Sequence, residues 1–452
     1  MKRFDVAIIG GGILGCFAAR NLMRYRLSAV LLEAKEDVCT GITRANAAIV
    51  YPGYDNRPGS RKAAMTVQGN AAFTKLCEEL DVPFSRCGSL MLSYSQQGDQ
   101  VLEGKYQAGL SNQVPGLTLL SGEEAREREP MAAPGISKAL YAPSTGTVNP
   151  WQLGIAACEN ARSQGCEVWL SAPVKRILSE KTGYILQTDR EELACSMVLN
   201  CAGASADWIQ ELVFPPSVRL FPDGADFLIL DSTAKKPAHI LFHQGNQGSK
   251  GMTAVPTVEG TLLLGPTRRP LAESPYATTL EGLAALREDV SKFLPDIQWD
   301  RVIRSFGGVR PNPHRVVCKD GTYVPDGKSL GDFVIEQPAP NFISLMGIKT
   351  PGITCADGFG AMLARKTAEY LQAKENPAFC PIRPGISKPE GKEIVCLCQQ
   401  ITKEEILEAI RRGAVTVDGV KRRLGTGMGR CQGSRCTYAI QKLLEESTHG
   451  TH

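Results

Sequence analysis

Val6-Ala-Ile-Ile-Gly10-Gly-Gly12-Ile-Leu-Gly15, with Glu33 further on, is the stretch that decides how the front of this chain folds. Val6-Ala-Ile-Ile9 has the composition of a short buried strand, and the apolar run that follows to about Tyr25 reads as a helix. Ser28-Ala-Val-Leu-Leu32 is a second strand, ending at Glu33. Strand, glycine turn, helix and strand make a βαβ unit with the spacing of a dinucleotide site. Gly10 permits the tight turn, Gly12 lets the backbone approach a pyrophosphate, and Gly15 lets the helix pack on the strand. The helix N-terminus faces the phosphates. Glu33 stands where an acid hydrogen-bonds a ribose hydroxyl. A glycine-rich turn without a nucleotide is the plain alternative, and the flanking elements count against it.

The far end carries a second pattern. Cys396-x-Cys398 is followed, after 32 residues, by Cys431-x4-Cys436. Two close pairs across a domain-sized gap are what four thiolates around one metal centre require. Gly427, Gly429 and Gly433 surround the second pair and let backbone N–H groups donate to cluster sulfurs. Zinc also suits four thiolates, and four free buried cysteines remain the plain alternative.

With 452 residues, two to three domains are expected. A hydrophobic fraction of 43% and a charged fraction of 22% are those of an ordinary globular protein. A net charge of +4 gives no global case for nucleic acid or an anionic membrane. Fifteen cysteines without a secreted-type spacing suggest a reducing compartment. The chain opens Met-Lys-Arg-Phe-Asp and enters a strand at once, so no signal peptide is expected. No run approaches the length of a membrane span. A cytoplasmic location follows as the default, with peripheral docking at the inner face of a membrane through a partner as its variant.

Later segments resemble known families. The cysteine quartet is similar to the small [2Fe-2S] domain of bacterioferritin-associated ferredoxins, in the form fused to flavin dehydrogenases. Leu199-Asn-Cys-Ala-Gly-Ala-Ser205 resembles the strand and turn that return to the nucleotide in FAD oxidoreductases. Gly347-Ile-Lys-Thr-Pro-Gly-Ile-Thr354 resembles the C-terminal flavin-contacting turn of the D-amino-acid-oxidase-like superfamily. There a helix N-terminus points at the pyrimidine edge of the flavin. Gly41–Gly53 and Tyr141–Pro150 resemble pieces around the flavin ring and the hinge into the next segment. The resemblance implies FAD contacts from Gly10, Gly12, Ile13, Leu14, Gly15, Glu33 and Ala34. It implies further contacts from Thr43, Arg44, Val174, Ala202, Gly203, Gly352, Ile353 and Thr354. Cys396, Cys398, Cys431 and Cys436 are the implied ligands of the cluster.

The expected fold class is α/β: a Rossmann-like FAD-binding domain, an α+β substrate domain and a small helical C-terminal iron–sulfur domain. The FAD-binding domain is expected from 1–75, 145–215 and 330–374, and the substrate domain from 76–144 and 216–329. Ser89–Ser93, Phe227–Leu230, His239–Phe242 and Thr261–Leu264 read as strands of the latter. Residues 375–390 form a stiff proline-rich linker, and 391–447 the cluster domain. Thr402-x-x-Glu405 is a capping box opening a helix there. Arg411, Arg412, Lys421, Arg422, Arg423, Arg430 and Arg435 face only Asp418 in charge. They read as a solvated face offsetting the cluster's negative charge, or as a docking patch for an acidic electron-transfer partner.

Three pieces are expected to do chemistry. Phe306-Gly-Gly-Val-Arg310-Pro311 resembles the arginine turn of flavin-dependent glycerol-3-phosphate dehydrogenases and 2-hydroxyacid oxidases. Arg310 offers a fork suited to phosphate or carboxylate, with a structural ion pair as the alternative. Lys349, in the flavin-contacting turn, is expected at the flavin or the substrate, with a solvated loop lysine as the alternative. Alcohol oxidation needs a proton acceptor, for which histidine is suited near neutral pH. His449 and His452 lie in a tail expected to fray, leaving His239, His243 and His314. His243 ranks first, because it precedes strands that resemble those near the flavin. Tyr51 is a further polar contact. It stands in Ala45-Asn-Ala-Ala-Ile-Val-Tyr51, where the superfamily often reads Ala-Asn-Ser-Gly-x-x-His.

The resemblance implies a dehydrogenase of a small anionic substrate, first sn-glycerol 3-phosphate. A 2-hydroxyacid or amino-acid dehydrogenase, 2-hydroxyglutarate- or hydroxyproline-like, is the alternative on the same scaffold. A flavin and iron–sulfur module without turnover is the non-enzymatic one. A cluster accepts one electron at a time, so electrons are expected to leave to an acceptor protein or a quinone-linked subunit, in a hetero-oligomeric complex. Neither nucleic acid nor a transmembrane segment is expected.

Overall fold

The computed structural model describes residues 1–244, 251–271, 276–389 and 393–449, with side chains described to residue 447. His452 and the side chain of His449 lie outside the described residues. The opening strand, Lys2–Ile9, runs through the glycine turn into the helix Ile13–Leu22. Ala29–Leu32 returns parallel to it, with Leu32 beside Ile9. Glu192–Asn200 lies parallel on the other side, with Asn200 beside Ile9. Glu167–Trp169 and Phe342–Met346 extend the parallel centre, and further strands complete an eight-stranded sheet.

The central strands are apolar throughout because both faces are covered. Val6 and Ile8 pack with Phe17, Leu153 and Phe359 from three helices on one face. Phe4, Ala7 and Ile9 pack with Trp169, Leu193 and Phe342 on the other. The helices Ile13–Leu22 and Ala356–Leu371 touch backbone to backbone at Gly360, where a Cβ would stand 2.3 Å from the Phe17 carbonyl oxygen.

A second, ten-stranded sheet is mostly antiparallel. Its spine is the long pair Val218–Leu230 and Val302–Lys319, which run side by side from Val218 opposite Arg315 to Leu228 opposite Ser305. Ser89–Ser93, Ile240–His243 and Leu262–Gly265, close to the runs read as strands, all join it. The helix Leu280–Phe293 presses Leu286, Val290 and Phe293 onto one face.

One expectation is corrected here. Phe306–Pro311 is not a turn but the middle of an 18-residue strand. Its glycines serve close approach instead. A Cβ on Gly307 would lie 2.5 Å from the carbonyl oxygen of Ala277, and one on Gly308 2.9 Å from that of Ala45.

The C-terminal part holds a short hairpin, Ile394–Cys396 with Ile401–Thr402, and the helices Lys403–Arg411, Val417–Leu424 and Thr437–His449. The capping box is formed: Glu405 N–H donates to Thr402 Oγ1 and Thr402 N–H to Glu405 Oε2. Ile406, Val420 and Ile440 meet in its core. The proline-rich linker is extended but strapped down. Arg383 binds Glu159, Gly385 N–H donates to Asp81, and Arg24 lies over the Phe379 ring.

The basic run does not make one face. Arg422 and Arg423 are buried on Asp37, Arg412 binds Glu408 and Glu159, and Arg430 lies 3.7 Å from Asp231. Arg412, Arg422 and Arg423 of the run thus point inward and hold this part of the chain against the rest, while Arg411, Arg430 and Arg435 stay exposed. Carboxylates distant in sequence, which no local pattern reveals, draw those three inward.

Candidate active site

Gly10 takes φ +104°, and a Cβ there would strike the Cys201 carbonyl oxygen at 2.6 Å. Gly15 is tighter still, with its Cβ position 1.9 Å from the Gly10 carbonyl oxygen. Gly12 differs: a Cβ there meets nothing closer than Thr43 Oγ1 at 3.5 Å. The helix Ile13–Leu22 starts at that open ground, so its free N–H groups face a cradle for phosphate. Glu33 Oε2 accepts from Gly11 N–H at 2.6 Å and its Oε1 from Lys35 N–H at 2.9 Å. Burial raises the pKa of Glu33, and these N–H donors oppose the rise.

The turn opens into a cavity of about 1740 Å³ between the two sheets. Single drug-sized ligands occupy roughly 300–1,000 Å³, so this volume suits a dinucleotide and a substrate together. Gly10, Gly12, Ile13, Leu14, Glu33 and Ala34 line it. So do Thr43, Val174, Ala202, Gly203, Gly352 and Ile353. Three residues read as FAD contacts are placed otherwise. Gly15 packs under the turn, Arg44 lies over the Tyr276 ring, and buried Thr354 accepts Tyr51 N–H at 2.9 Å.

Opposite the glycine turn, the strand Val302–Lys319 sends Arg310 and Asn312 into the cavity. Residues two apart on a strand share a face. Lys349 donates to Asn312 Oδ1 at 2.5 Å. Arg268, Asp223, Thr350 and Tyr51 line the same wall. Asp223 is spoken for by Arg268, at 2.9 Å. Arg310 has no ion-pair partner among the described residues. Burial depresses the pKa of its guanidinium, as expected for a cation kept from water without a counter-ion. Burial likewise pushes the Tyr51 phenol well above its ordinary value, with Asp55 adding to the rise.

The four C-terminal cysteines come together as pairs. Cys398 Sγ and Cys431 Sγ lie 3.5 Å apart, and Cys396 adjoins Cys436. Backbone N–H groups of Gly433 and Arg435 donate to Cys431, and that of Gly427 to Cys436. The Gly433 N–H leads in pulling the Cys431 pKa down. Among the described residues, no three ligating side chains converge at single-ion distance. Two close thiolate pairs can hold a two-iron cluster, one pair on each iron.

Known proteins agree with this construction. Residues 5–366 match the family described as FAD dependent oxidoreductase, and 394–446 match the BFD-like [2Fe-2S] binding domain. The chain is an FAD-dependent oxidoreductase of that family. It carries a [2Fe-2S] domain in the same polypeptide. This oxidoreductase is 35% identical to glycerol 3-phosphate dehydrogenase of Caloramator mitchellensis, over 98% of its own length and 94% of the relative's. It is 31% identical to mitochondrial L-2-hydroxyglutarate dehydrogenase of Homo sapiens, over 58% of its own length and 60% of that protein's. Its fold matches FAD-bound L-alpha-glycerophosphate oxidase of Mycoplasma pneumoniae with a TM-score of 0.76. That match has 21% identity and covers 85% of this chain and 99% of the other. No helix among the described residues is long and apolar enough to cross a membrane.

Of the oxidoreductase's three internal histidines, only His243 lines the cavity. Its ring stacks on Phe293 with centroids 5.4 Å apart, beside Tyr94, and burial lowers its pKa. It belongs to the wall built with Asp289 and Lys292, whereas Arg310, Tyr51 and Lys349 share another. His239 Nδ1 is 3.3 Å from Glu129 Oε2, and half-buried His314 lies against the Gly327 carbonyl. Sequence reasoning missed Asn312, Arg268, Asp223 and Thr350. Asn312 alone left a signal, two positions after Arg310.

Proposed function

We propose that this oxidoreductase oxidises sn-glycerol 3-phosphate to dihydroxyacetone phosphate and passes the electrons outward singly through its cluster. The observation that carries the reading is Arg310, a half-buried cation on the cavity wall with no ion-pair partner among the described residues. Such a group favours an anionic ligand that supplies the missing charge. Arg268 on the same wall is ion-paired with Asp223, so the excess positive charge there is that of Arg310.

Arg310 binds the phosphate. Lys349, fixed by Asn312, and the Tyr51 hydroxyl orient the substrate's oxygens. Burial keeps Tyr51 protonated, so it acts as a neutral hydroxyl rather than as a base. Oxidising the alcohol also needs a proton acceptor as the carbon-bound hydrogen leaves with its electron pair; His243 is set away from this wall, its ring stacked on Phe293 while the neighbouring Phe242 faces Tyr51. FAD, when bound, supplies the acceptor for that hydride, and the glycine turn with Glu33 holds its pyrophosphate and ribose. The cluster, held by Cys396, Cys398, Cys431 and Cys436, supplies a one-electron carrier to a protein or quinone-linked acceptor. We assign the FAD-binding domain to 1–75, 145–215 and 330–374 and the substrate domain to 76–144 and 216–329. The strands of the two large sheets fall on either side of this division and support it, with Phe84–Ser85 alone pairing across it.

A 2-hydroxyacid is the second reading, favoured by the guanidinium's equal fit to a carboxylate and by the hydroxyglutarate relatives. The near-full-length similarity to a glycerol 3-phosphate dehydrogenase favours the first. Anaerobic bleaching of the flavin across glycerol 3-phosphate, 2-hydroxyglutarate, lactate and hydroxyproline separates them. Bleaching by 2-hydroxyglutarate alone would replace the first reading with the second.

A further inference from the structure

A buried charge network locks the C-terminal domain onto the rest of the molecule. Asp37 accepts from Arg422 Nη2 at 2.9 Å and from Arg423 Nη1 at 2.8 Å. Glu159 accepts from Arg383 at 2.5 Å and from Arg412 at 3.3 Å. Gln152 adds a bond to the Arg423 carbonyl, and Arg162 one to that of Arg412. Asp37, Arg422 and Arg423 are all less than a tenth exposed. Ion pairs this deep gain little net stability, because desolvation offsets their attraction. What they fix is orientation, since either charge left alone in the interior is costly.

The lock stands beside the wall of the dinucleotide cavity. In the short turn Ile42–Arg44, Ile42 and Thr43 line the cavity. The charge of Arg44, the next residue, acts on Lys421 of the helix Val417–Leu424, next to Arg422. Lys421 also feels Arg304, whose Nη1 lies 3.4 Å from Gln432 Oε1, adjacent to Cys431. The loop bearing Cys431 follows that helix directly. One turn of chain therefore stands between the dinucleotide cavity and the helix that leads to the cysteines.

We infer that Asp37 and Glu159 are positioning residues for electron transfer, holding the cysteine quartet against the flavin side so that electrons cross within one chain. This rests on the two cofactors of the reading above and not on the choice of substrate. Reduced flavin holds two electrons and the oxidised cluster accepts one. The first electron moves to the cluster. The second follows once a one-electron carrier protein has taken the first away, and the flavin's protons return to solvent. A domain swinging on a free tether would need none of the buried pairs.

The test uses the full chain with both cofactors and photoreduces the bound flavin with EDTA alone, the flavin acting as its own sensitiser, so that neither substrate nor a soluble radical able to reduce the cluster directly enters. The rate at which the cluster's spectrum changes is then read in wild type, Asp37→Asn, Asp37→Glu and the double variant Arg422→Gln/Arg423→Gln. Amide hydrogen exchange of residues 417–424 is read in parallel on the same proteins. In Asp37→Asn and the double variant, exchange should rise and cluster reduction should slow by roughly tenfold or more, as small misplacements of reacting groups do. Flavin content and photoreduction should stay normal, and Asp37→Glu should keep most of the rate. If Asp37→Asn does not accumulate, Glu159→Gln probes the same lock from the helix Pro150–Ser163. Cluster reduction at the wild-type rate despite raised exchange would overturn the inference. Unchanged exchange would show that no lock exists. Wild-type protein without flavin or labile sulfide would instead overturn the cofactor reading beneath it.

Discussion

Asp223 stands directly across the strand ladder from Arg310 yet gives its carboxylate to Arg268, at 2.9 Å. That choice makes Arg310 available. A cation with its own carboxylate would be structural, whereas one whose natural neighbour is engaged elsewhere waits for an anion from outside. The reading of the cavity as a site for an anionic alcohol turns on this pairing.

Arg310→Leu should weaken substrate capture by about 2–4 kcal/mol in kcat/KM, the usual cost of deleting one partner of a buried charged contact. FAD content should not change, because Arg310 lies on the wall away from the glycine turn. An equal loss with uncharged glycerol would remove the anion-anchor role.

The glycines of the turn predict two different failures. Gly12→Val puts its side chain into the phosphate cradle, where its Cβ would meet nothing closer than Thr43 Oγ1 at 3.5 Å. The apo-protein should melt near wild type while the purified protein loses its yellow colour. Gly15→Val drives its side chain into the Gly10 carbonyl oxygen and should cost stability itself, on the order of 1–3 kcal/mol. Thermal melts of the two apo-proteins, compared with flavin content, check the distinction.

Cys431→Ser should sharply lower iron and acid-labile sulfide, which in anaerobically purified wild type should reach roughly two of each per chain. Substrate bleaching of the flavin should survive, and onward reduction of an acceptor should not. Stoichiometric zinc without sulfide, in protein made with ample iron, would leave the quartet a structural knot.

Much of this molecule was legible because its signals are local. The spacing of Gly10, Gly12 and Gly15 reports backbone contacts made within one βαβ unit. The capping box at Thr402 and Glu405 is satisfied within one helical turn. The paired cysteines report a centre whatever surrounds it. What the sequence hid depends on partners far apart in the chain. Gly307 and Gly308 look like a turn until Ala277 and Ala45 are brought against them. Arg422 and Arg423 look solvated until Asp37, some 385 residues away, is buried between them. Arg268 carries no motif, and only the pairing of Arg269 and Pro270 with Gly224 and Asp223 sets it beside Arg310.

The most direct test of the whole account adds sn-glycerol 3-phosphate, without oxygen, to the purified two-cofactor protein and follows flavin absorbance and the cluster's electron spin resonance in one sample. The account predicts that the flavin bleaches and that the reduced-cluster signal then rises, with no other protein present. A flavin that stays oxidised in the presence of glycerol 3-phosphate, while the same sample is readily reduced by light, would contradict it.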